Sequence, residues 1–150
     1  GVVINMNDKK ITELMIPSEK VAHVNLNNPL EHALLVLIKS GYSAIPVVDS
    51  DFKLKGLISM SLILDSILGI ERIETEKLEN KVVKDVIKDE APSIREDESF
   101  VRGLKLSIDH PFLCVVNHEG VFTGILTRRA ILKYINRYIH ETNRESVRPM

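Results

Sequence analysis

The chain repeats itself. Gly56-Leu57-Ile58-Ser59 matches Gly124-Ile125-Leu126-Thr127 at an offset of 68 residues. The same offset carries Ile45-Pro46-Val47-Val48-Asp49 onto Leu113-Cys114-Val115-Val116-Asn117, and Leu54 onto Phe122. A fixed period constrains the fold more than any single motif, because each copy is one unit that buries its apolar face against its neighbour. A unit of about 60 residues is marginal alone. Two copies sharing a core are therefore expected within the 150 residues.

The spacing of apolar residues predicts helix–strand–helix–strand–strand–helix in each copy. In the first, a short helix covers 9–16 and stops at Pro17, and 21–26 is a short strand. Asn28-Pro29-Leu30-Glu31 reads as a helix start, with Asn as cap and Pro at the first position. Leu30, Ala33, Leu34, Leu37 and Ile38 then form one apolar stripe, ended by Gly41. Strands 45–48 and 54–58 flank the turn Asp49-Ser50-Asp51, and a helix over 61–68 stops at Gly69. The second copy has a helix at 82–87, a strand at 91–94 and a helix capped by Asp97 that carries Phe100, Leu104 and Ile108. Strands 113–116 and 121–127 and a long last helix complete it. The expected division is 9–69 and 82–140 for the repeats, with 70–81 a connection holding a turn of helix. Residues 1–8 and 141–150 are expected to be tails.

The copies differ in charge. Thr127 is a good helix N-cap, and Arg128 and Arg129 follow it where the first copy has Met60 and Ser61. A helix start already carries roughly half a positive charge and disfavours a cation by about 0.3–1 kcal/mol. Two adjacent arginines suit an anion docked at that end, where N–H groups and guanidinium forks share a phosphate. The competing reading is two ordinary solvated charges.

Other classes find little support. A net charge of −1 gives no electrostatic case for nucleic acid. The longest wholly apolar run, 33–38, is far short of a membrane span, and no signal-peptide pattern opens the chain. Cys114 lies mid-strand in an apolar run, as a small buried hydrophobe in a reducing cytoplasm would. His23, His32, His110, His118 and His140 show no metal-ligand spacing, so no metal is expected. Asp49 and Asp51 are turn formers. No nucleophile stands beside an activating neighbour, so an enzyme is not expected.

The element order, the apolar-Pro-Val-Val-Asp strand at 45–49 and the Gly-apolar-apolar-Ser/Thr strand ends at 56–59 and 124–127 resemble the CBS domain. Two copies resemble a tandem CBS pair over 11–139. The resemblance implies an α+β fold (an α/β sandwich): two repeats about a pseudo-twofold axis, each a small sheet packed with helices. It also implies clefts that bind adenine nucleotides, and a homodimer. Many nucleotide-binding repeats carry a ribose-holding Asp three residues after the Thr of the strand end; here those positions are Leu62 and Ala130. That loss favours a ligand whose ribose hydroxyls are partly used in phosphodiester links.

Within the family, five segments resemble the stand-alone CBS proteins of Firmicutes that bind cyclic di-AMP. They are Lys20-Val21-Ala22-His23-Val24, the helix from Leu30 to Leu37, Gly41-Tyr42 with Ala44-Ile45-Pro46-Val47, the stretch from Gly69 to Glu74, and Thr127-Arg128-Arg129. This implies a cytoplasmic regulatory protein that binds cyclic di-AMP, needs no cofactor, and controls a protein such as a Rel-type alarmone synthetase or pyruvate carboxylase. The alternatives are an AMP/ADP/ATP energy sensor and a ligand-free adaptor.

On this reading the phosphates meet Arg128, Arg129 and the helix start after Thr127, because arginine forms paired bonds to phosphate oxygens. An adenine enters an apolar slot beside Lys20, Val21, Ala22 and Ile45. Its edge is read by main-chain groups of Ala22 and Ala44, with Tyr42 and Ser43 lining the cleft. Core packing is the alternative for Ala22, Ala44 and Ile45, a solvated charge for Lys20 and a rim aromatic for Tyr42. Tyr134 and Tyr138 are expected to face a second subunit.

Overall fold

The computed structural model describes residues 5–147. Residues 1–4 and 148–150 of the two expected tails lie outside them. The first copy gives helix α1 (Ile11–Leu14), strands β1 (Ile16–Pro17) and β2 (Val24–Asn25), helix α2 (Leu30–Ser40), strands β3 (Ala44–Val48) and β4 (Leu54–Ser59) and helix α3 (Met60–Ile67). One turn of helix, α4 (Lys77–Asn80), lies in the connection. The second copy gives a 3-10 turn (Val83–Asp85), strand β5 (Ser93–Arg95), helix α5 (Phe100–Ser107), strands β6 (Phe112–Val116) and β7 (Phe122–Thr127) and helix α6 (Arg128–Val147).

Local chemistry shifts several boundaries. Asn28 does not cap α2; its Oδ1 accepts from the N–H of Asn25 at 2.7 Å, and Pro29 takes the cap position. Asp97 does not cap α5 either, because its carboxylate is held by Arg95 at 2.8 and 3.0 Å. Ser99 caps α5 instead, its Oγ accepting from Arg102 N–H. At the tails, Met6–Asp8 is a 3-10 turn and Asn7 accepts from the N–H of Val101, while α6 runs on to Val147.

The two sheets are ordered β1–β7–β6–β5 and β2–β3–β4. The first strand of the first repeat therefore belongs to the second repeat's sheet, with Ile16 opposite Ile125 and Pro17 opposite Gly124. The exchange is reciprocal, since Leu57 and Lys88 trade both main-chain hydrogen bonds at 3.1 Å. Apolar side chains follow the backbone. Ile11 is buried with Ile94, Phe100, Leu113 and Ile131 of the second repeat, and Val83 is buried with Leu30, Ala33, Ile45 and Ile63 of the first. A third cluster (Val21, Val48, Cys114, Phe122 and Ile125) joins the halves. At the far end the hairpins are stitched by Leu54 N–H to Gly120 O at 3.1 Å and Phe122 N–H to Phe52 O at 2.9 Å.

The repeated glycines permit this crossing. A Cβ at Gly124 would collide with the carbonyl oxygen of Ile16, and one at Gly56 with that of Lys88. Both obstacles are backbone and cannot rotate away. Replacing Gly124 with Ala is expected to cost about 1–3 kcal/mol through overpacking. Urea unfolding would register the loss, and an unchanged midpoint would mean that the β1–β7 contact yields freely.

Candidate functional site

A cleft of about 240 Å³ lies between the repeats, lined by Val21, Ala22, Tyr42, Ser43, Ala44, Ile45 and Pro46 from the first and by Pro111, Phe112, Ile125 and Thr127 from the second. Each wall is placed by a local turn or a strand end. A 3-10 turn, Ser18–Lys20, leads the chain off β1 to Val21 and Ala22. The Gly41 turn delivers Tyr42 and Ser43 to β3, whose first residue Ala44 pairs with Ser59. Opposite them, Phe112 begins β6 and pairs with Thr127 at the end of β7.

Polar groups in the cleft are few; the exposed Tyr42 and Ser43 hydroxyls at its rim and the half-buried main chain of Ala22 are uncommitted among the described residues. The N–H and C=O of Ala22 make no hydrogen bond among the described residues, whereas its neighbour Val21 donates to Ser18 O at 3.1 Å and accepts from His23 Nδ1 at 2.9 Å. Thr127 is committed: its Oγ1 caps α6 by accepting from Ala130 N–H at 3.0 Å, as Ser59 caps α3 through Leu62 N–H. Unpaired main-chain groups in a half-buried apolar slot favour a ligand with its own donor and acceptor, because burying them unmet costs free energy.

The structure thus brings seven of the sequence-expected residues together: Val21, Ala22, Tyr42, Ser43, Ala44, Ile45 and Thr127. It leaves three off the lining. Lys20 is exposed at the end of the 3-10 turn. Arg128 and Arg129 open α6 and border a shallow depression with Leu132, Lys133 and Asn136. Arg129 is exposed and makes no side-chain bond among the described residues, but Arg128 donates from Nε to Ser107 O at 2.8 Å. Pro46, Pro111, Phe112 and Ile125 were not anticipated. The offset that maps Ser43 and Ala44 onto Pro111 and Phe112 was legible in sequence, but not that both copies border one cleft.

Tyr134 is not on a fully exposed side of α6: it is half-buried, its ring packed edge-on against Phe100 at 5.1 Å, with Lys9 Nζ 5.4 Å from its centroid. Exposed apolar side chains sit elsewhere, at Leu35 and Ile38 of α2, Leu64 of α3, Ile108 after α5, and Leu132 and Ile139 of α6. Among the described residues no group of acids, histidines and cysteine is arranged to hold a metal, and no helix is long and apolar enough to cross a membrane.

A duplicated, strand-exchanged α+β unit with a cleft between its copies defines a tandem CBS pair. The CBS domain model matches residues 11–69 and 83–137, and the chain belongs to that family. Cyclic di-AMP receptor B of Bacillus subtilis is 46% identical over 134 residues, covering 89% of this chain and 91% of that protein. The crystal structure of Listeria monocytogenes CbpB in complex with c-di-AMP is 55% identical, with a TM-score of 0.78 over 87% of this chain and 97% of that one. A CBS domain-containing protein of unknown function from Bacillus anthracis is 57% identical, with a TM-score of 0.79 over 88% and 96% of the two chains.

The Cys114 thiol is fully buried, and burial pushes its pKa up to about 12. Only the thiolate reacts with thiol reagents. Cys114 is therefore expected to stay silent to a disulfide reagent at pH 8 in the folded protein and to titrate fully in denaturant. Rapid labelling of folded protein would show that the central seam opens.

Proposed function

We propose that this chain is a regulatory receptor for cyclic di-AMP, holding one adenine in the cleft between its repeats. The observation that carries the reading is the unpaired N–H and C=O of Ala22 in a mostly apolar slot. Adenine presents an amino donor beside ring-nitrogen acceptors, so one residue's main chain can meet its edge. The similarity to a cyclic di-AMP receptor and to CbpB in complex with c-di-AMP supports the choice of nucleotide. At about 240 Å³ the cleft is smaller than the roughly 300–1,000 Å³ that encloses a drug-sized ligand. It suits one base, with the rest of the molecule at the rim.

The base would lie against Val21, Ala44 and Ile45, with Tyr42 and Ser43 at its edge, and Lys20 would approach from the turn before the slot. The phosphates would lie past Thr127 at the start of α6, beside Arg129. Leu62 and Ala130 offer no side-chain acceptor to a ribose, which disfavours AMP and ATP. The receptor is proposed to work as a homodimer through the exposed apolar residues of α2, α3 and α6 and Ile108 after α5. It is also proposed to act in the cytoplasm, where the unpaired Cys114 is at home, on a protein target such as a Rel-type alarmone synthetase or pyruvate carboxylase. Regulation requires that the ligand bind the target-bound and free forms with different affinity.

Calorimetric titration is expected to give at least about tenfold tighter binding of cyclic di-AMP than of AMP or ATP, a gap of ~1.4 kcal/mol. Equal affinities would reject the reading in favour of an energy sensor, and no binding of any would favour an adaptor. Filling the slot with Ala44→Leu should weaken cyclic di-AMP binding by a similar factor. In sedimentation, Ile108→Glu with Leu132→Glu should convert a dimer to monomers, and an unaltered dimer would place the subunit contact elsewhere.

A further inference from the structure

The two adjacent arginines are not equivalent. Arg128 makes three hydrogen bonds to the end of α5 and the connection that leads from it to β6. Its backbone N–H donates to Pro111 O at 2.9 Å, its Nε to Ser107 O at 2.8 Å and one terminal nitrogen to Ile108 O at 3.3 Å. Arg129, one residue on, is exposed and makes no side-chain bond among the described residues. We propose that Arg128 is a positioning residue that fixes the Pro111–Phe112 wall of the cleft, leaving Arg129 to meet the phosphates. The second half of the proposal rests on the cyclic di-AMP reading; the first half does not.

Comparison of the two copies carries the argument. The main-chain bond is duplicated: Met60 N–H donates to Ser43 O at 3.0 Å, at the same 68-residue offset as Arg128 to Pro111. The side-chain clasp occurs in the second copy, where the helix end differs. In the first copy α2 closes with Gly41 in the left-handed conformation (φ 76), its N–H bonded to Leu37 O. That is the standard way to satisfy the last carbonyls of a helix. In the second copy α5 ends at Ile108 in the right-handed conformation, with no glycine before Pro111. The guanidinium of Arg128 caps the carbonyls there.

A cation is favoured at a helix C-terminus, and a planar fork reaches two neighbouring carbonyls where an ammonium makes a point contact. The anchorage is firm, because Ser107 is buried and its Oγ donates to Leu104 O at 2.7 Å. From that fixed point the chain runs directly to Pro111 and Phe112, both of which line the cleft. Met60 in the first copy has no such task, since Gly41 has already closed its helix. This accounts for a charge that was not copied with the scaffold.

The test combines amide hydrogen exchange of the ligand-free protein with calorimetry of cyclic di-AMP over a salt series, on Arg128→Gln, Arg128→Lys and Arg129→Gln. Both Arg128 variants are expected to speed exchange across 108–112 and to weaken cyclic di-AMP binding about tenfold, with the salt dependence of wild type. Lysine, which keeps the charge, should not rescue. Arg129→Gln should leave exchange unchanged and flatten the salt dependence, as loss of a phosphate contact does. The proposal is overturned if Arg128→Gln flattens the salt dependence as Arg129→Gln does, if lysine at 128 restores full affinity, or if exchange across 108–112 is unaltered. Should wild type bind no cyclic di-AMP, the ligand reading and the role of Arg129 fail together. The exchange comparison would still decide whether Arg128 holds the connection.

Discussion

Everything in this molecule depends on two places where one half's backbone enters the other half's sheet. β1 lies along β7 beside Gly124, and Lys88 bonds Leu57 beside Gly56. The side chains that precede each crossing are carried with it, so Ile11 and Val83 fill cores across the boundary from their own repeats. Neither sequence repeat is then a complete structural unit. That is how two units too small to bury an adequate core alone reach joint stability.

The same crossing makes the cleft. After β1 leaves the second sheet, the chain returns through Val21 and Ala22 before it pairs again at Val24. The short unpaired stretch between the two sheets is where main-chain donors and acceptors stay available. A fully paired strand would have none to offer, and a loop in water would offer them to solvent. Here they are half-buried between Ala44 and Ile45 on one side and Phe112 and Ile125 on the other, which on the proposed reading lets them read a base by hydrogen bonding.

Duplication fixed the scaffold and left the ends of its helices free to diverge. A left-handed glycine closes one helix and an arginine from a distant element closes the other. Both satisfy carbonyls at the end of a helix, Leu37 O in one copy and Ser107 O with Ile108 O in the other, but they differ in consequence, because the arginine ties the helix end to the start of α6. The wall of the cleft and the mouth of that helix are thereby one mechanical piece.

Read in order, the residues determined the repeat, the element sequence, the family and most of the cleft lining. They did so because hydrophobic spacing, turn-forming residues and duplicated motifs are local. The short range of these signals also explains the failures. Asn28 and Asp97 are good caps by type, yet each is taken by a closer partner, Asn25 N–H and Arg95. Tyr134 carries no mark of the Phe100 ring it meets. Only the tertiary structure decided that the opening segments trade sheets, that Pro111 and Phe112 join the first repeat's cleft, and that the fork of Arg128 is occupied by carbonyls twenty residues back. Those outcomes turn on backbone groups meeting across long stretches of chain, and a backbone group looks the same at every position in a sequence.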